Sequence, residues 1–206
     1  GRNKNEYAYE NYQQTLYLTY RWNYETQTWV NGTKTEYAYD ANGNRTLYAY
    51  YDGWDTETKR WTGGSKEEYA YDTNGKRTLR VIYRKNYQDD LWTGIEKYES
   101  VYDENGNETL TTTYQWDTET NLWLNSGKAE TSYDANGNQT LFYEYYWDTG
   151  EEKWVNNSKI ESEYDSTGYQ TIEIQFNWDT EKNLWVNTYK TESTHDGNQV
   201  ISINYH

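Results

Sequence analysis

Two histidines, His195 and His206, are the only imidazoles in the chain, so general-base chemistry near neutral pH would have to begin there. His195 stands where five other segments carry a tyrosine, which makes it a variant of an aromatic position. Serines and carboxylates are plentiful but recur with the same period, whereas an active site needs one converging constellation. Cysteine is absent, which removes disulfides and thiolate metal sites. The expectation is a protein that is not an enzyme. Cation binding is a second chemistry to weigh, because Asp40, Asn42 and Asn44, and again Asp134, Asn136 and Asn138, present hard oxygen ligands within Asp-x-Asn-Gly-Asn loops. Asp, Asn and Gly are also what a bulged turn uses without an ion, and the distal glutamate of an EF-hand is missing. Calcium is therefore the one cofactor candidate, and the turn itself is the competing reading. The third chemistry is aromatic. With 11 Trp and 26 Tyr the chain could stack sugar rings while Asn, Asp and Gln read hydroxyls, weak sites gaining strength by repetition. Against that, a chain poor in Leu, Ile and Val needs its rings for its own packing.

These residues belong to a repeat. Tyr-Asp recurs at Tyr39, Tyr71, Tyr102, Tyr133 and Tyr164, with spacings of 32, 31, 31 and 31 residues, and His195 takes the sixth place after another 31. Lys-x-Glu precedes each mark, at Lys34/Glu36, Lys66/Glu68, Lys97/Glu99, Lys128/Glu130, Lys159/Glu161 and Lys190/Glu192. A tryptophan stands five residues before each of these lysines, at Trp29, Trp61, Trp92, Trp123, Trp154 and Trp185. Seven residues earlier lies Trp22, Trp54, Trp116, Trp147 or Trp178, with Lys85 in the exceptional copy. A fixed period of this size marks units that bury apolar surface only by stacking on neighbours. Residues 1–206 thus read as a single array of about six units with partial units at both ends, a fragment of something longer.

The bulk numbers point two ways. A net charge of −15 with 33% hydrophobic residues would suggest disorder, but 19% aromatics opposes it. The buried surface must be thin and aromatic. The acidic balance, with lysines dispersed through the repeats, argues against nucleic acid. No apolar run reaches membrane-spanning length, so membrane insertion is not expected.

Proline is absent, and Thr171–Trp178 alternates strictly between polar and apolar residues, the signature of a half-buried strand. Thr15–Trp22 and Thr140–Trp147 are equivalent, with Leu16, Leu18, Tyr20 and Trp22 on one face of the first. A longer strand runs from the second tryptophan to Tyr-Asp, as in Trp123–Tyr133. Each unit is then two strands and two turns. In the turn at 103–107 a type I′ hairpin would set Tyr102 against Thr109, whereas a type I turn with a glycine bulge sets it against Glu108. The bulge is preferred because it places Tyr102 on the side of Leu110, Tyr114 and Trp116. Gly43, Gly75, Gly106 and Gly137 are the turn glycines. The other turn, Trp116 to Trp123, is symmetric and should set the two indoles directly across from each other. Lys-x-Glu is expected on the opposite face with Thr and Ser, keeping the exterior soluble.

Two strands per unit give about thirteen, more than open sheets usually hold. The predicted fold is all-β, tandem 31-residue β-hairpin repeats in an extended, coiling antiparallel sheet. The alternative is a two-sheet parallel β-solenoid with one repeat per rung. Coiling, closure or a second copy would cover the aromatic face.

The segment Tyr39-Asp-Ala-Asn-Gly-Asn-Arg-Thr46 resembles the YD repeats of the Rhs and teneurin-like families. That resemblance implies structural β-hairpin sheets that spiral into shells or tubes on secreted or surface proteins. It covers about a third of each unit. The whole unit, with Trp-Asp-Thr-Glu-Thr-x-x-Trp, is similar to tandem repeats in very large surface proteins of Bacteroidota exported by the type IX system, adhesive filaments among them. The resemblance implies an extracellular stalk, filament shaft or shell whose partners are copies of itself. A multivalent lectin-like adhesin and an Rhs-type toxin-encapsulating shell are the alternatives. Sequons at Asn31, Asn44, Asn107, Asn138 and Asn156 read as by-products of Thr-rich turns.

Overall fold

The protein is described here from a computed structural model, which covers residues 2–87, 90–196 and 199–205. His206 and the side chain of His195 lie outside what is described.

Every regular element among the described residues is a strand. They are β1 (Asn3–Glu10), β2 (Gln13–Asn23), β3 (Thr28–Tyr39), β4 (Arg45–Asp55), β5 (Arg60–Tyr71), β6 (Arg77–Lys85), β7 (Trp92–Tyr102), β8 (Glu108–Asp117), β9 (Leu122–Tyr133), β10 (Gln139–Asp148), β11 (Lys153–Tyr164), β12 (Gln170–Asp179), β13 (Leu184–Asp196) and β14 (Gln199–Tyr205). Strand order follows chain order in one open sheet, with β1 and β14 at its edges. Neighbours pair antiparallel, as β2 with β3 and β10 with β11, which overturns the parallel solenoid alternative. The reason is local: turns this short can join only antiparallel strands.

Two compact units divide the chain. The first comprises residues 1–99 with 114–124, the second 100–113 with 125–206. In the first, Ala49 and Val81 are the buried apolar side chains, and in the second none is buried, among the described residues. Neither unit has a core in the usual sense. Half-buried rings and cross-strand pairs hold each together, as expected of a sheet whose side chains pack along its surface.

The Tyr-Asp turns are bulged, as the preferred register requires. Asp103 N–H donates to the Asn107 carbonyl at 2.9 Å, and Gly106 N–H donates to the Asp103 carbonyl at 3.0 Å. Gly106 takes φ +82°, a left-handed backbone that strains any residue with a Cβ. Tyr133 accordingly faces Gln139, and Tyr39 faces Arg45. A second register shift follows at once, with Ala38 facing Leu47 and leaving Thr46 as the extra residue. This corrects the expected side of the tyrosine. The shift turns the Tyr-Asp ring away from the Leu side, so Tyr39 shares a face with Tyr37, its neighbour two residues back.

The second correction concerns Lys-x-Glu. Lys128 lies directly opposite Tyr145, and Lys159 opposite Phe176. Tyr145 and Trp147 alternate along β10, as do Phe176 and Trp178 along β12, so the lysines occupy the aromatic face. A five-residue step from Trp154 to Lys159 would put them on opposite faces of a regular strand. The register shift that leaves Asn157 with no residue directly opposite it on β10 reverses the phase between them. Beyond the shift, desolvated rings give the ammonium group a better partner than open water does.

Candidate functional site

The hairpins bring the predicted tryptophans together in pairs. Trp22 and Trp29, Trp54 and Trp61, Trp147 and Trp154, and Trp178 and Trp185 are directly opposed in register. Their rings meet edge to face at 5.3, 5.0, 5.0 and 5.0 Å between centroids, and Trp116 with Trp123 also at 5.0 Å. The turn below each pair is self-capped. Asp117 Oδ1 accepts from Glu119 N–H at 2.9 Å, and Asp117 Oδ2 from the Thr120 hydroxyl at 2.6 Å. Asn121 closes the turn with φ +57°.

The pairs Trp116/Trp123, Trp147/Trp154 and Trp178/Trp185 also reach the preceding hairpin, Trp154 through Lys128, 5.7 Å from its ring. A Cβ on Gly94 would stand 2.8 Å from the Trp123 ring and 3.0 Å from that of Trp116, so only glycine admits the indoles there. Trp185 meets Tyr143 at 5.8 Å, and Trp92 meets Tyr51 at 5.7 Å. Trp92 lacks an indole partner because Lys85 faces it; that lysine is 6% exposed, ion-paired with the Asp90 carboxylate, and 5.4 Å from the Trp92 ring.

Between the tryptophans and the Tyr-Asp turns lies a constellation that sequence reasoning missed. In copy after copy a lysine, a glutamate two residues on, and a ring seventeen residues beyond the lysine form one cluster. Lys97 Nζ stands 3.7 Å from the Tyr114 ring centre and donates to Glu99 at 2.9 Å, while the Tyr114 hydroxyl donates to the same carboxylate at 2.7 Å. Lys128, Glu130 and Tyr145 repeat it at 4.0, 2.7 and 3.0 Å, and Lys66, Glu68 and Tyr83 at 4.2, 2.7 and 3.1 Å. Lys159 sits 4.0 Å over Phe176, where the hydroxyl is lost and the ring kept. Burial and then the neighbouring carboxylate push the hydroxyls of Tyr114 and Tyr145 up to about 12. Glu99 and Glu130 move down, chiefly through the lysine hydrogen bond. The readable signal was the odd five-residue Trp-to-Lys step together with the constant step of seventeen.

The Tyr-Asp tyrosines fasten adjacent turns. The hydroxyls of Tyr39, Tyr71, Tyr133 and Tyr164 donate to the carbonyls of Gln14, Arg45, Glu108 and Gln139 at 3.2, 2.9, 3.0 and 2.9 Å. Tyr102, in the same repeat position, is also partnered. Gly43, Gly75 and Gly137 take left-handed φ of +87°, +77° and +84° in the other turns.

The calcium candidates are spent on the turn. Asp40 Oδ1 accepts from the N–H groups of Asn42 and Asn44 at 2.9 Å each, and Asp40 Oδ2 from Asn44 Nδ2 at 3.0 Å. Asp134, Asn136 and Asn138 repeat that pattern, with all three distances 2.9 Å. These donors lower the carboxyl pKa, the Asn side-chain amide foremost, and a cation would have to displace them. Among the described residues no group of three or more His, Cys, Asp or Glu is placed to hold a metal ion.

The face opposite the tryptophans differs between units. In the first, Arg45 lies 5.5 Å from the rings of both Tyr48 and Tyr69, and Arg80 Nε donates to Glu67 at 2.7 Å. In the second, Glu144 accepts from Asn157 at 2.8 Å and Ser158 at 3.0 Å.

No family model and no curated protein matches the chain. Among solved structures it is similar to a Bacteroides fragilis protein of unknown function, at TM-score 0.51 and 17% identity, over 62% of this chain and 91% of that one. That likeness shows the fold. A DUF3836 family protein from Bacteroides vulgatus (TM-score 0.38, 17% identity, 52% and 97% covered) and TcdB2-TccC3-TEV (TM-score 0.26, 12% identity, 99% and 14% covered) also match.

Proposed function

We propose that this chain is a non-catalytic structural repeat segment, a stalk, filament shaft or shell of a large secreted or cell-surface protein, acting through contacts with copies of itself. The single observation that carries this reading is that distinctive side chains of one repeat are used on the adjacent repeat. Trp123 packs against Gly94, Trp185 against Tyr143, and Tyr133 bonds the turn that precedes its own. Side chains spent in that way build an array, consistent with units that are stable only together. Adhesion or cell contact is the task such an array would serve. Replacing Trp116 and Trp123 together by Ala tests the reading: a structural role predicts lost folding or assembly, whereas a purely ligand-binding role leaves a folded protein. One feature favours a carbohydrate-binding role beside the structural one, the groove described next.

A further inference from the structure

Beyond Ser158, which faces Asn177, β11 and β12 no longer pair, and residues 153–156 of β11 pair with β10 alone. The two hairpin ends therefore stand apart as fingers around an open groove of about 510 Å³. The indoles of Trp154 and Trp178 line it, with Asn156, Thr180 and Asn183 around them. Asn156 is half-buried, while Thr180 and Asn183 are exposed. Asp148, which also lines it, is committed to capping its own turn by accepting from Gly150 and Glu151 N–H at 2.8 and 3.1 Å. Glu151 pairs with Lys153.

We infer that this groove is a binding site for a short neutral saccharide. Its chemistry combines apolar ring surface with amide and hydroxyl groups able to both donate and accept, which suits a molecule with C–H faces and a hydroxyl fringe. The size lies within the range of small-molecule sites. The lining carboxylates Asp148 and Glu151 outnumber the Lys153 ammonium, and with a net charge of −15 they disfavour anionic ligands. An extended peptide could add to the free edge of β11, but the groove is closed where Ser158 and Asn177 pair, so only a few residues would fit. A compact ligand does not meet that wall.

The test uses the full chain on an array carrying neutral hexose and N-acetylhexosamine oligosaccharides, sialylated and sulfated glycans, and extended peptides, followed by tryptophan-fluorescence titration with the strongest neutral oligosaccharide. A variant combining Asn156→Ala and Thr180→Val should stay within a few degrees of the parent's melting temperature, because neither side chain carries a hydrogen bond that builds the hairpins among the described residues, and should bind at least tenfold more weakly. Failure to bind any neutral glycan, selection of only anionic glycans or peptides, or undiminished binding by that variant would overturn the inference. Should the variant lose its fold, Thr180→Val alone serves with the same criterion. A chain that stays monomeric would contradict the assembly reading above and leave this outcome unaffected.

Discussion

Lys128 and Tyr145 face each other across β9 and β10 with the ammonium 4.0 Å from the ring centre, and Glu130 bonds to both. The cluster is an ion pair laid on an aromatic floor. An exposed Lys–Glu pair alone is worth at most about 1 kcal/mol. Adding a ring under the cation contributes roughly 0.5–1 kcal/mol more.

Tyr145→Phe should therefore cost only about 0.5–1.5 kcal/mol, the value of the lost hydrogen bond, since the cation keeps its ring. The protein already carries that arrangement at Phe176. Tyr145→Ala should cost distinctly more, and a double-mutant cycle with Lys128→Met should show favourable coupling, both read from urea unfolding midpoints.

Gly94→Ala should destabilise by about 1–3 kcal/mol, because its Cβ would enter the space of the Trp123 ring. Trp123→Leu in the same chain should recover part of that loss relative to the sum of the single changes. Strict additivity in denaturant unfolding would contradict the packing of this indole on the preceding hairpin.

Gly106→Ala at φ +82° should cost about 1 kcal/mol or more. Asp134→Ala should cost a similar amount by stripping the acceptors for Asn136 and Asn138. If the Asp-x-Asn-Gly-Asn loops are turns first, millimolar calcium or a chelator should leave the melting temperature unchanged, as differential scanning calorimetry can show.

Alkaline pH should weaken the sheet. A tyrosine whose hydroxyl titrates higher in the folded chain than its ordinary value of 10 contributes stability that is complete below pH 10. That stability is lost as pH rises toward the folded values of about 12 at Tyr83, Tyr114 and Tyr145. Glu99 and Glu130 act in the other direction. Their carboxyls are lowered from 4.5, so their contribution is present above that value and lost as pH falls through the folded pKa. Circular dichroism at fixed urea across pH 3–12 should show unfolding at both ends, and Tyr114→Phe should blunt the alkaline limb.

The repeat made much of the fold legible. Trp116 and Trp123 straddle a symmetric turn, so their pairing followed from spacing alone, and the glycine bulge followed from Asp103-x-Asn-Gly-Asn. The faces did not follow, because alternation predicts sides only in an unbroken strand. Asn157 and Thr46 each break it, placing Lys159 among the rings and Tyr39 away from Leu47. The Lys-Glu-Tyr cluster was hidden for a related reason. Lys97 and Tyr114 meet only through register across two strands, so neither residue signals it locally. The groove beside Trp154 was hidden because it depends on where β11 and β12 stop pairing.

Electron cryomicroscopy of the purified protein tests the structural reading most directly. The account predicts filaments, tubes or other multi-copy assemblies in which copies of this sheet lie in contact. Particles that remain single, separate chains at every concentration would contradict it.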